Sequence, residues 1–144
     1  MPASFPLITA AFALVLLTFA VGLRLLYVRS QEMREKRVHP QSAATSLAMA
    51  AKLQNVQAAD NYKNLFEVPI LFYALVATAV AIDYTPIWLV AGAWVFVAVR
   101  VAHSLIHCTY NKVIHRFAAF GASFLVVVLL WAIFVCSLFS KSVA

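Results

Sequence analysis

The chain has 144 residues and a formal net charge of +6, and 65% of its residues are hydrophobic. So much apolar surface argues against a soluble domain of this length. The basic residues lie beside the ends of apolar segments and not on a face of their own, so we expect no nucleic-acid partner. The composition therefore predicts an integral membrane protein that forms one domain over residues 1–144.

Four segments without Asp, Glu, Lys or Arg predict four transmembrane helices, at residues 5–23, 68–82, 86–99 and 117–140. A helix needs about 20 apolar residues to span a bilayer. The two middle helices reach that length only by continuing through the polar residues beside them. The first segment lacks a basic region before it and a cleavage site after it, so we expect a retained helix and not a signal peptide. The predicted fold is an all-α bundle of four transmembrane helices.

The basic residues of the connections predict the orientation in the membrane. They are concentrated in the first connection, from residue 29 to about residue 41, and in the third, at residues 109–116. The second connection, at residues 83–86, has none. Basic loops stay on the cytoplasmic side, so we expect both termini on the outer side. The same charges should attract anionic membrane lipids.

Polar residues at membrane depth mark the candidate site, because ionisable groups are costly there and usually functional. They form two sets, and helical spacings of three, four and seven residues place each set on one helical face. The sets are Asp60, Asn64 and Glu67 on the second helix, and Arg100, His103 and His107 on the third.

The two sets match in depth. A turn at residues 83–85 makes the second and third helices an antiparallel hairpin, and Glu67 and Arg100 each lie roughly 23 Å from that turn. Three levels match in this way: Glu67 with Arg100, Asn64 with His103, and Asp60 with His107. We therefore predict an ion pair between Glu67 and Arg100, since neither charge is tolerable alone at that depth. An alternative interpretation of this pair is a structural clamp that fixes the helix register.

Pro69 predicts a break in the second helix beside this cluster. Proline has no N–H to donate to the carbonyl of Leu65. The helix should kink there and free backbone carbonyls, which need partners or a cavity within a membrane.

Two further kinds of site are less well supported. His103 and His107 have a spacing that suits a metal, but Arg100 at the same depth repels a cation, so no metal site is predicted. A proton relay through the ionisable residues is chemically reasonable. However, no polar residues continue the path to the outer face.

Two short motifs carry a resemblance to a known family. Asn64-Leu65-Phe66-Glu67 and Arg100-Val101-Ala102-His103, followed by Arg116, form an N-x-x-E and R-V-A-H pattern. This pattern resembles the membrane-associated proteins in eicosanoid and glutathione metabolism, the MAPEG family. The chain is most similar to the bacterial branch of that family and to microsomal glutathione transferases. The resemblance implies a homotrimer in the bacterial inner membrane, with glutathione bound between neighbouring subunits.

The resemblance also implies roles for individual residues. Arg116, at the start of the fourth helix, matches the arginine that stabilises the glutathione thiolate, and it is the candidate catalytic residue. The candidate glutathione-binding residues are Arg29, Lys63, Asn64, Glu67, Arg100, His103 and His107. Among these, Glu67 would lie near the amino group of glutathione, and Arg29 would reach in from the adjacent subunit. A guanidinium suits the catalytic role because it stays charged in apolar surroundings and favours the nucleophilic thiolate.

Two departures from the family pattern leave a second function open. Asp60 stands where members have an arginine that binds a carboxylate of glutathione, although Lys63 lies nearby, and His107 stands where a tyrosine is common. The first predicted function is a glutathione-dependent transferase or peroxidase, with glutathione as co-substrate, acting on lipophilic electrophiles or lipid hydroperoxides. The alternative is a non-enzymatic member that binds lipid or another hydrophobic small molecule in its intersubunit pocket.

Overall fold

A computed structural model describes residues 2–143 of the chain, and these residues form helices and turns without a strand. The helices are α1 (Phe5–Glu35), α2 (Ser46–Lys52), α3 (Gln57–Asn64), α4 (Val68–Ala81), α5 (Ile87–Cys108) and α6 (Val113–Val143). A short 3-10 helix, Pro40–Ala43, precedes α2. Four helical spans are long and apolar enough to cross a membrane: Phe5–Glu35, Gln57–Ala81, Ile87–Cys108 and Val113–Lys141. The predicted four-helix transmembrane fold is confirmed.

The helix ends differ from those that the charge-free segments suggested. Helix α1 continues to Glu35, so Arg29 lies within the helix and not at the start of the connection. Helix α6 begins at Val113, before the charge-free segment, and α2 was not predicted. The reason is that hydropathy marks only the part of a helix that lies inside the membrane. A helix can continue beyond the membrane through polar residues, which also form helical backbone hydrogen bonds.

The predicted break in the second span is confirmed. Helix α3 ends at Asn64, α4 begins at Val68, and Pro69 lies in the first turn of α4, where its missing N–H costs nothing. Between the two helices, Glu67 has a non-helical backbone, with φ −90° and ψ −85°. The break changes the direction in which side chains before and after it project.

The predicted turn between α4 and α5 is also confirmed. Asp83 adopts a left-handed conformation with φ 51°, and the N–H of Tyr84 donates to the carbonyl of Ala79 at 2.9 Å. This is the hydrogen-bond pattern of a helix that ends in a Schellman motif. Near the other end of the chain, Lys141 Nζ lies 4.1 Å from the centroid of the Tyr84 ring. The end of α6 is thereby tied to this turn.

The buried residues differ between the two halves of the bundle. In the half near the termini, buried apolar side chains of α1, α4, α5 and α6 pack together, and the rings of Phe72 and Phe96 stack at 4.6 Å between centroids. Trp131 Nε1 donates to the carbonyl of Leu71 at 3.0 Å and joins α6 to α4. The other half, which we call the basic half, holds the end of α1, all of α3, the end of α5 and the start of α6. The buried polar residues lie mainly in this half.

Candidate functional site

A cluster of buried polar side chains occupies the interior of the basic half. Its members come from α3, α5 and α6, and each is at most 3% exposed: Asn61, Arg100, His103, Ser104, His107 and Ser123. Burying a polar group without a partner is costly, so the partners of these groups define what the site can do.

Arg100 is completely buried and is held by α3 and α6. Its Nη2 donates to the backbone carbonyl of Asn64 at 2.6 Å, and its Nη1 donates to Ser123 Oγ at 3.4 Å. The Asn64 carbonyl is accessible because α3 ends there. The break in the second span therefore supplies the main acceptor for a buried guanidinium.

The predicted ion pair between Glu67 and Arg100 is wrong. Among residues 2–143, the only ion pair within 4 Å joins Lys36 and Glu32, whose Nζ and Oε1 are 2.7 Å apart. Glu67 lies in the break, and its side chain is exposed on the surface of the subunit. The depth comparison assumed a continuous helix, whereas the helix is broken at Glu67 and no ion pair with Arg100 forms within the described residues.

Arg116, near the start of α6, forms hydrogen bonds with two histidines of α5. Its Nη1 donates to His107 Nε2 at 3.1 Å and to Asn111 Oδ1 at 3.1 Å, and its backbone carbonyl lies 3.2 Å from His103 Nδ1. A guanidinium only donates and a carbonyl only accepts. Nε2 of His107 must therefore be unprotonated, and Nδ1 of His103 must carry the proton of that contact.

Among the described residues, these bonds leave several nitrogen atoms of the cluster without a hydrogen-bond partner. His107 Nδ1, His103 Nε2 and Arg100 Nε are buried and have no hydrogen-bond partner within the described part of the chain. Both side-chain bonds of Arg116 use Nη1, so Nη2 and Nε remain as further donors. Within residues 2–143, no group of three or more His, Cys, Asp or Glu is placed to hold a metal.

A small cavity lies beside this arrangement. Its volume is about 190 Å³, and it is lined by Asn64, His103, Val113, Arg116, Phe117 and Phe120. The structure thus brings three of the predicted site residues to one cavity, namely Asn64, His103 and Arg116. Arg100 and His107 do not line this cavity. Each forms a hydrogen bond to a residue that does, Arg100 to the Asn64 carbonyl and His107 to Arg116. The matching depth of Asn64 and His103 is confirmed.

The other predicted residues lie elsewhere. Arg29 and Lys63 line a separate cavity of about 210 Å³ between α1, α2 and α3, together with Asp60. Asp60 is exposed, and no hydrogen bond or ion pair within the described residues joins it to His107. The third predicted level therefore does not form a hydrogen bond or an ion pair, since Asp60 lies on the exposed surface of α3.

The sequence reasoning missed Asn61, which is the most buried polar residue of α3. Its Oδ1 accepts from Ser104 Oγ at 3.3 Å, and its Nδ2 donates to Cys108 Sγ at 3.3 Å. Its spacing of three from the buried Ala58 and of four from the buried Leu65 is the signal that could have placed it on the inner face. Asn61 therefore fixes α3 against α5.

Ser123 was also missed, because the fourth helix appeared almost wholly apolar. It lies seven residues after Arg116 and three after Phe120, so the three side chains share one face of α6. Ser123 Oγ donates to the carbonyl of Phe120 at 2.7 Å and accepts from Arg100. That shared spacing could have identified it.

Comparison with known proteins gives a family and no individual relative. The model of the MAPEG family matches residues 7–136 of the chain. No curated protein and no solved structure matches the chain significantly. The matched range includes the helix break, the buried polar cluster and Arg116.

Proposed function

The chain belongs to the MAPEG family, and from this premise we propose that it is a glutathione-dependent membrane transferase or peroxidase. Its second substrate would be a lipophilic electrophile or a lipid hydroperoxide that enters from the bilayer. Glutathione is the proposed co-substrate, and its thiolate is the proposed nucleophile.

The observation that carries this proposal is the cavity shared by Arg116, His103 and Asn64. A thiol is a strong nucleophile only as a thiolate. A fixed guanidinium in a low-dielectric site stabilises that anion more than water does. Arg116 is held through Nη1 by His107 and Asn111, and its Nη2 and Nε are the donors that we propose for the sulfur anion.

His103 has a complementary role in the proposal. Its Nδ1 proton is directed at the Arg116 carbonyl, so Nε2 is an acceptor. An acceptor beside the cavity can take the thiol proton when the thiolate forms, or hold a donor group of the peptide. Arg100 adds a second positive charge on the far side of Asn64 and favours the carboxylates of glutathione.

The site of one subunit is too small, which supports the proposed homotrimer. Small-molecule sites commonly enclose about 300–1,000 Å³, whereas this cavity has about 190 Å³. Glu67 also leaves a carboxylate on the subunit surface at membrane depth, where it needs a partner. Exposed Ala74, Ala77 and Ala81 follow it along α4, and small residues allow another helix to approach closely. A neighbouring subunit would complete the cavity, and the glutathione ammonium would pair with Glu67.

The proposed location is the inner membrane of a bacterium, with the basic half facing the cytoplasm. The first and third connections carry the basic residues, and such loops remain cytoplasmic. Water-soluble glutathione would then reach the cavity from the cytoplasmic side, and the lipophilic substrate would reach it through the bilayer.

The test is to measure glutathione binding to the purified protein in detergent. Calorimetry measures the binding, and the ultraviolet absorbance of the thiolate shows whether the thiol is ionised. We expect Arg116→Ala to lose the thiolate signal and about a hundredfold or more in kcat, as for removal of one anion-stabilising donor. Lys112→Ala is the matched control, because Lys112 is an exposed cation four residues earlier that does not line the cavity. An unchanged thiolate signal in Arg116→Ala would show that Arg116 is not the stabilising group.

The alternative function, binding of lipid or another ligand without catalysis, is favoured by Asp60. Its carboxylate lines the cavity of Arg29 and Lys63 and reduces the positive charge available to an anionic peptide. In this case millimolar glutathione would not bind, and a ligand would remain with the purified protein. Mass spectrometry of the native protein separates the two functions, because only the first gives a glutathione adduct.

A further inference from the structure

An apolar groove runs along the surface between α1 and the second span. It has a volume of about 600 Å³, and its walls include Val15, Phe19 and Leu26 on one side and Tyr62, Phe66 and Tyr73 on the other. Phe19 and Leu26 are 65% and 64% exposed, so the groove is open to the surroundings of the bundle. We call it the α1 groove.

The length of the α1 groove matches one leaflet of a bilayer. Val15 and Leu26 are separated by three helical turns, or about 16 Å along the axis. Half of a hydrocarbon core about 30 Å thick is about 15 Å. The groove belongs to two membrane-spanning helices and runs along α1, so it can hold one acyl chain in its extended direction.

The cavity of about 210 Å³ that contains Arg29 and Lys63 shares no lining residue with this groove, but it follows the groove along α1. Arg29 lies one turn beyond Leu26 on α1, and Lys63 follows Tyr62 on α3. Asp60 contributes the one carboxylate of this cavity, and two cations against one anion leave it positive. An apolar groove and a positively charged pocket thus follow one another along α1, and this order matches the acyl chain and the charged headgroup of an anionic amphiphile.

We propose that the α1 groove and this pocket form one binding site for a phospholipid with an anionic, hydroxyl-bearing headgroup, such as phosphatidylglycerol. One acyl chain occupies the groove, the phosphate binds Arg29 and Lys63, and a headgroup hydroxyl donates to Asp60. This lipid site lies between α1 and the second span, whereas the Arg116 cavity lies between α3, α5 and α6. It assigns to a lipid two residues, Arg29 and Lys63, that the family resemblance suggested for glutathione.

Charge complementarity favours a lipid over a second copy of the chain. The whole chain has 5 acidic residues against 11 lysines and arginines, so another copy has little negative charge to place in the pocket. Anionic lipids, in contrast, concentrate where basic juxtamembrane residues meet the bilayer surface. An anionic lipid also supplies both an acyl chain for the groove and a negative charge for the pocket.

The experiment uses the full-length protein in lipid nanodiscs with a phosphatidylglycerol probe that carries a photoreactive group in its acyl chain. We expect crosslinks in the peptides of residues 15–26 and 62–73, and fewer with a phosphatidylcholine probe of the same chain. Labels outside these segments, equal labelling by both probes, or protection of the groove by a second subunit would overturn the proposal. The comparison of the two probes needs no variant.

A charge variant tests the headgroup pocket separately. Arg29→Gln combined with Lys63→Gln should weaken phosphatidylglycerol binding about thirtyfold, from the usual contribution of two surface cations. The matched control combines Arg34→Gln with Lys52→Gln, which removes two exposed cations from the same half that do not line the pocket. Equal affinity of the two double variants would refute the assignment of Arg29 and Lys63. Displacement of the probe by millimolar glycerol phosphate would refute the role of the groove, because it would reveal a site for free phosphate alone.

Discussion

The three glycines of the chain provide a graded test of helix packing. A Cβ atom added at Gly92 in α5 would collide with Cδ2 of Leu130 and lie 3.3 Å from its Cγ, whereas one added at Gly121 in α6 meets nothing within 4 Å. Gly22 is intermediate, because its added Cβ would lie 3.2 Å from Cε2 of Tyr62. Leu130 is buried, so it has little space in which to move.

The magnitude follows from comparing two of these substitutions. Alanine gains about 1 kcal/mol over glycine within a helix, and Gly92→Ala and Gly121→Ala share this gain. Overpacking a filled core costs about 1–3 kcal/mol, and only Gly92→Ala incurs it. We therefore expect Gly92→Ala to be about 1–3 kcal/mol less stable than Gly121→Ala, with Gly22→Ala between them.

Thermal unfolding in detergent can measure this difference. The 3 tryptophans of the chain all lie in α5 and α6, so intrinsic fluorescence reports on the helices that meet at Gly92. A difference of this size should lower Tm by several degrees. In a double-mutant cycle, Gly92→Ala should cost less stability in a Leu130→Ala background than in the unsubstituted protein, because the colliding atom is then absent. Equal Tm values for Gly92→Ala and Gly121→Ala would refute the predicted close contact of α5 with α6.

Two further substitutions test the partners of buried and exposed groups. Glu67→Gln should change the free energy of unfolding by less than about 0.5 kcal/mol, because the Glu67 side chain is exposed and forms no ion pair with Arg100. The same substitution should weaken glutathione binding about tenfold or more. A large loss of stability measured by thermal unfolding would instead restore the clamp interpretation. Trp131→Phe removes the hydrogen bond to the Leu71 carbonyl and should cost about 1 kcal/mol. Unchanged thermal stability would show that this bond between α6 and α4 contributes nothing.

Most of the architecture could be predicted from the sequence because membrane spans impose long apolar segments. The turn at Asp83 and the break at Pro69 could also be predicted from the sequence, since both depend on local backbone chemistry. The end of α1 was not readable in this way. Glu32 and Lys36 form an ion pair there, and the Glu32 oxygens accept from the backbone N–H groups of Gln54 and Asn55 at 2.6 and 3.1 Å. That support comes from a segment more than twenty residues away.

The candidate site was predictable in its depth and not in its pairing. Counting residues from the turn placed Asn64 and His103 at one level, and both line the same cavity. The partner of Arg100 could not be obtained by counting, because the non-helical backbone at Glu67 rotates one side chain relative to the next. Arg100 therefore binds a carbonyl and a hydroxyl where the sequence suggested a carboxylate.

The way in which Arg100 is stabilised determines the electric field of the basic half. The Asn64 carbonyl and the Ser123 hydroxyl are dipoles without net charge, so they lower the energy of the guanidinium while leaving its full positive charge in place. In surroundings of low dielectric constant, the potential of such a charge falls off slowly with distance. The interior is therefore set to distinguish ligands by the sign of their charge before any side chain contacts them. Because the main acceptor is a main-chain carbonyl, this preference for anions is retained even when the side chain at position 64 is changed.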